Sequence, residues 1–298
     1  FGSSPFGSRD GPRAFAVHMA PRGGSRHNGQ GLDLAAELLA LAPELAAYFA
    51  AQVAFFALCL VVARQLRPRS EEAWELADLF FSAAVFPVMV WSALIAAWSL
   101  SDDVDLRWRG QVWESRFFML LYTTRALLHC FVQCKMKMSK LQFLLMTLHH
   151  ILTMLCSGVA LVLQTMHFWG CFEGCCEVST LFLNNMHIFK ELTPGGKELR
   201  HVLPSWIYVA NGVFLWLSFL VFRMVLFPLW LYLWYRDVST KPEATWDRSA
   251  PIERYLYPAV TVFLLVISMY WFVRVTKGMM KTMGLLGKKD RKGIAKAE

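Results

Sequence analysis

The chain has 298 residues, of which 56% are hydrophobic, 14% aromatic and only 17% charged, too apolar a make-up for an average soluble domain. Its formal net charge is +8 with a pI near 9.2, but the basic residues are spread over loops and tails, which argues against nucleic-acid binding. Lipid is the expected solvent, and the expected fold class is all-α: a polytopic transmembrane helix bundle of about seven spans.

Residues 1–33 are rich in Gly, Ser and Arg, lack apolar periodicity and read as a disordered arm. They begin at Phe1, as a fragment or a processed chain would. Residues 34–280 make up the membrane domain, and 281–298 a basic cytosolic tail with Lys288, Lys289, Arg291 and Lys292 close together. Crossing a hydrocarbon core of roughly 30 Å takes about 20 apolar residues, and such runs predict spans at 44–63, 79–99, 115–134, 141–163, 168–189, 204–227 and 256–275. Basic residues fall in alternate loops: Arg64, Arg67 and Arg69; Lys135, Lys137 and Lys140; Lys190, Lys197 and Arg200; and the tail. Because basic loops tend to stay cytosolic, the N-terminus is expected to be lumenal and the C-terminus cytosolic. The acidic Asp102, Asp103 and Asp105 suit a lumenal loop, while Arg9, Arg13, Arg22 and Arg26 in the arm run against the pattern.

The seven cysteines lie almost entirely inside predicted spans, so they read as small apolar side chains and not as a disulfide framework. Cys171, Cys175 and Cys176 have no His or Cys partner at ligand spacing outside their own helix, and no metal is expected there. With no sequence repeat between the halves and no pair of Gly/Pro-interrupted spans, a transporter is disfavoured.

Side chains three and four apart share a helix face, and a polar stripe inside a span must face protein or a water-filled cavity. Three consecutive spans carry one: Tyr122, Arg125, His129 and Gln133; Gln142, His149, Thr153, Ser157 and Gln164, with His150 beside His149; and Glu173, Glu177, Thr180, Asn184 and His187. These faces should meet. At about 1.5 Å per residue, Arg125, His149, His150, Glu177 and Asn184 fall in one band roughly 7–18 Å below the cytosolic surface, and Asn211 reaches a similar depth. An unpaired charge there costs about 2.5–3.5 kcal/mol, so Arg125 is expected to pair with Glu177 or Glu173. His149 and His150 point about 100° apart, so one can face a cavity while the other meets a neighbouring helix. An unprotonated histidine can act as base or as nucleophile towards an acyl group.

The run Leu148-His149-His150-Ile151-Leu152-Thr153 resembles the His-His-x-x-Thr signature of the TLC-domain family. Glu177-Val178-Ser179-Thr180-Leu181-Phe182-Leu183-Asn184 resembles the Glu-Leu-Ser-Thr-x-Phe-x-Asn segment of the smaller TLC-domain proteins. Phe222-Arg223-Met224-Val225-Leu226-Phe227-Pro228-Leu229-Trp230 is similar to the Arg-x-x-x-x-Pro-x-Trp close of the family's penultimate long helix. The resemblance implies a lipid-accessible helix bundle of the endoplasmic reticulum membrane acting in lipid homeostasis, by binding, sensing or trafficking a membrane lipid. It also implies an alternative: histidine-dependent acyl transfer with acyl-CoA as co-substrate, in which His149, His150 and Glu177 would be catalytic and Arg125, His129, Thr153, Thr180, Asn184 and Asn211 would bind substrate. The chain departs from the ceramide synthases where they carry a His-Asp pair followed three residues later by another Asp, and has Glu177-Val178-Ser179-Thr180 instead. The partners expected are a membrane lipid or acyl-chain substrate and a second copy of the chain as a homo-oligomer, with no cofactor and no nucleic acid.

Overall fold

In a computed structural model, which describes residues 34–67, 70–192 and 198–282, every regular element is helical. The arm (1–33), most of the tail (283–298), Arg69 and Lys197 lie outside the described residues. The helices are α1 (Leu34–Leu66), α2 (Ser70–Ser99), α3 (Val104–Arg109), α4 (Trp113–Val132), α5 (Lys140–Leu163), α6 (His167–Gly174), α7 (Glu177–Glu191), α8 (Leu199–Val202), α9 (Ser205–Phe219), α10 (Leu226–Thr240) and α11 (Pro251–Thr282). Six helical stretches are long and apolar enough to cross a membrane: Ala35–Leu66, Glu72–Ser99, Val104–Lys135, Lys140–Leu163, Ser205–Thr240 and Pro251–Lys281. The chain is a multi-pass membrane protein. The remaining predicted span, 168–189, is formed by α6 and α7 end to end, together about 37 Å long.

Two departures from regular helix shape this bundle. Between α6 and α7 the backbone tightens into i→i+3 bonds, Cys176 N to Glu173 O (3.0 Å), Val178 N to Cys175 O (3.2 Å) and Ser179 N to Cys176 O (3.2 Å), the pattern of a 3₁₀ turn. Between α9 and α10 the helix instead widens into a π-turn over Leu220–Val225, with Leu226 N–H bonded to Val221 O five residues back. Pro228 supplies a cause: it has no N–H to donate to the Met224 carbonyl, and its ring crowds that oxygen.

The helix ends confirm the alternation of loops. Arg67, at the end of α1, donates to the carbonyl of Glu191 at the end of α7 (2.5 Å), and Lys137 N, between α4 and α5, donates to Glu75 near the start of α2 (3.3 Å). The basic loops therefore share one end of the bundle. At the opposite end, exposed Trp98, Trp113, Tyr235 and Tyr255 sit at the termini of α2, α4, α10 and α11, where amphipathic rings mark a membrane interface.

α2 is the hub, packing on α1, α4, α6 and α7. The core is densest near the α3 end, where Trp108, Trp169, Trp230, Trp234 and Tyr257 are buried together; Trp230 Nε1 donates to Trp169 O (3.0 Å) and the Tyr257 hydroxyl to Cys156 O (2.7 Å). Beneath them Arg107 forks onto Asp237, Nε to Oδ2 and Nη2 to Oδ1, both at 2.7 Å, and gives a third bond to Ser101 O. Both partners are buried, so removing one leaves an uncompensated charge, a loss of about 3–5 kcal/mol. Asp237→Ala and Arg107→Ala should each lower the thermal midpoint of the detergent-purified protein strongly, whereas Arg236→Ala, at an exposed edge of the same carboxylate, should leave it nearly unchanged.

Candidate functional site

α5 starts at an N-cap, Ser139, whose hydroxyl accepts from Gln142 N, and ends at Gln164 in the left-handed region (φ 55°). Within it His149 and His150 point to different neighbours. His149 lines a cavity of about 30 Å³ together with Thr153, Cys156 and Ser157 of α5, room for about two waters. Phe118, Met119 and Tyr122 of α4, Gly170, Glu173, Gly174 and Cys176 of the broken helix, and Val260 and Leu264 of α11 complete the wall.

The two glycines decide how near α6 comes to α4. A Cβ on Gly174 would stand 2.2 Å from Phe118 Cζ, and one on Gly170 would stand 2.3 Å from Met119 Cε. Between them Glu173 projects a buried carboxyl whose Oε1 has no hydrogen-bond partner. Three other polar groups of the wall are engaged: Thr153 Oγ1 bonds back to His149 O and His150 O, Ser157 Oγ to Thr123 Oγ1 (2.7 Å), and the Tyr122 hydroxyl donates to Glu177 Oε1 (3.4 Å). The result is an apolar slot with one imidazole, one tyrosine hydroxyl and one unpartnered carboxyl, a combination that can receive the polar end of an amphiphile.

His150 faces the other way, with its ring 4.7 Å from that of His129. His129 Nε2 lies 3.5 Å from Asp78 Oδ2, and Arg125 Nη2 lies 3.9 Å from Asp78 Oδ1 while donating to Ser82 Oγ at 2.8 Å. The guanidinium also sits 4.5 Å from the centre of the Phe86 ring. The expected pairing of Arg125 with Glu177 or Glu173 is therefore corrected: its carboxylate is Asp78. The reason is geometric. Arg125 and His129 are one turn apart on α4, Asp78 and Ser82 are one turn apart on α2, and these two pairs face each other across the α2–α4 contact.

The polar residues of α7 and α9 divide differently again. Thr180 and Ser179 accept from Arg223 (3.2 and 2.8 Å). Asn184 Nδ2 donates to Leu79 O of α2, and Asn211 Nδ2 donates to Phe182 O while its Oδ1 accepts from Asn185; both tie helices together. His187 is exposed. Of the residues singled out in the sequence, the cavity gathers His149 and Thr153, with Glu177 joined to it through Tyr122. Arg125, His129 and His150 form a second cluster, and Thr180, Asn184 and Asn211 belong to helix contacts. Sequence reasoning missed Asp78 and Ser82. Their i, i+4 spacing is the available signal, but Asp78 lies one residue before the apolar run at 79–99.

A family model for the TLC domain matches residues 70–277. Comparison with curated proteins and with solved structures gives no match.

The Asp78 pairing is testable by double-mutant cycles on thermal stability in detergent. Asp78→Asn combined with Arg125→Leu should show a coupling of about 1 kcal/mol or more. The cycle of Glu177→Gln with Arg125→Leu should show none, and the opposite ranking would refute the pairing.

Proposed function

The chain belongs to the TLC-domain family, and from that premise we propose that it holds a membrane lipid at the His149 cavity and acts in lipid homeostasis as a binding, sensing or trafficking protein of the endoplasmic reticulum membrane. The observation that carries this reading is the composition of the cavity wall: a largely apolar slot within a membrane bundle, with His149, Tyr122 and an unpartnered Glu173 at its polar points. A polar group buried without a partner is costly, and a lipid's amide N–H or hydroxyl would satisfy it. The loop pattern supports a lumenal N-terminus and a cytosolic C-terminus.

Acyl transfer from acyl-CoA is the second reading, and it is favoured by one detail: of the two adjacent histidines, His149 opens onto the cavity. In that reading His149 takes the proton of an acceptor hydroxyl or amine as it attacks the thioester carbonyl and returns it to the departing CoA thiolate, or itself displaces that thiolate and passes the acyl group to the acceptor, while His150, turned to His129, positions it through the helix.

Lipid extracted from the purified protein and counted by mass spectrometry separates these readings. Near-stoichiometric lipid in the wild type, reduced about tenfold in a folded His149→Phe variant that fills the slot, supports binding; equal retention by the two sinks it. Labelled acyl-CoA turnover that is present in the wild type and absent from a folded His149→Ala variant would instead establish the enzyme.

A further inference from the structure

Several arginines of the bundle have carboxylates in ion-pair contact, among them Arg107 with Asp237, Arg116 with Glu44, and Arg125 with Asp78. Arg223 differs. It lies midway along the continuous stretch Ser205–Thr240, about 27 Å from its first residue, and therefore within the hydrocarbon region. Its partners are two neutral hydroxyls of α7, Ser179 (from Nε, 2.8 Å) and Thr180 (from Nη2, 3.2 Å), and the face of the Phe219 ring at 5.1 Å. Among the described residues it forms no salt bridge. The nearest acidic residue along α7, Glu177, accepts its hydrogen bond from Tyr122.

A guanidinium offers five N–H donors in a planar fork, and the two hydroxyls occupy one edge only. Among the described residues Nη1 makes no hydrogen bond, so the other edge is unoccupied. The π-turn adds a second observation. It widens the helix at Arg223 itself, and such turns, here permitted by Pro228, are frequent at functional sites. Ser179 and Thr180, which hold the fork, follow Cys176 of the cavity wall by three and four residues, one helical turn. A half-occupied cationic fork inside a membrane, held by hydroxyls and not neutralised by a carboxylate, is suited to an anion with two oxygens.

We propose that Arg223, set by the π-turn and held by Ser179 and Thr180, is the binding site for the anionic group of a membrane lipid, a phosphate or a carboxylate. This rests on the lipid-binding reading and narrows it to acidic lipids. It also moves anion recognition away from Arg125, whose charge Asp78 already meets.

The test measures binding of three labelled probes with the same acyl chain to the full-length detergent-purified protein: oleate, dioleoylphosphatidic acid and dioleoylglycerol. At least one acid should bind the wild type roughly tenfold or more tighter than the neutral glyceride, and which acid does so separates carboxylate from phosphate. Arg223→Gln should abolish that preference while dioleoylglycerol still binds. Arg223→Lys, which keeps the charge and loses the fork, should weaken acid binding several-fold, and it serves as the deciding variant if Arg223→Gln does not fold. No acid preference in the wild type, or acid affinity unchanged in either variant, overturns the anion site. Should none of the three probes bind, the lipid-binding reading fails; if dioleoylglycerol binds as well as the acids and is lost in His149→Phe, only the anion site fails.

Discussion

Neighbouring residues on an α-helix point about 100° apart, and in this bundle that constraint, acting at His149 and His150, separates two polar regions which the sequence presents as one. His149 lines the cavity between α4, α5, α6 and α11. His150, one residue on, packs against His129, and through it reaches Asp78 and Arg125 between α2 and α4. Rotating α5 to turn His150 into the cavity would take it off His129 and break the Thr123–Ser157 bond, both contacts between α5 and α4. The two regions are thus joined mechanically through one turn of α5 while remaining chemically distinct.

Lipid as solvent explains why so much of the polar content is paired. A bilayer offers no water to an unmet donor or carboxylate, so Arg107 is sealed on Asp237 beneath the tryptophans, Arg125 shares Asp78 with His129, and Asn184 and Asn211 spend their amides on backbone carbonyls of neighbouring helices. Measured this way two of the exceptions are informative. Glu173, on α6, has an oxygen with no partner at the cavity wall, and Arg223, between α9 and α10, has half a fork held by Ser179 and Thr180 of α7, a turn beyond that wall.

Much of the fold was legible in the sequence because length and hydropathy alone decide which segments cross a bilayer. The predicted runs at 44–63, 79–99, 115–134, 141–163 and 256–275 lie within long apolar helices, as does 204–227 but for its first residue, and the basic residues at Arg67 and Lys137 fall at the shared end that their spacing required. The site was legible only in part. Periodicity placed His149 and Thr153 on an inward face, yet it cannot say which inward face meets which, so the partner of Arg125 was sought on α6–α7 when the α2–α4 contact supplies it. Asp78 escaped notice because an apolar window begins where charge ends, whereas a helix continues: α2 is already two turns long at that residue.

The two irregular turns have opposite effects on winding, and together they account for the shape of the cavity region. A 3₁₀ turn has about 3.0 residues per turn against 3.6 in an α-helix, so the tight stretch at Cys175–Cys176 overwinds the chain between Glu173 and Glu177. Two carboxylates four apart, which a regular helix would stack on one face, are thereby fanned: Glu173 points into the slot, while Glu177 turns to the Tyr122 hydroxyl at its edge. The π-turn does the reverse, underwinding the chain ahead of Pro228 and carrying Arg223 round to Ser179 and Thr180. Regular helices over both stretches would pack the same apolar faces together but would direct these three charged side chains elsewhere. The polar geometry of the bundle therefore depends on two local defects in helices whose hydropathy gives no sign of them.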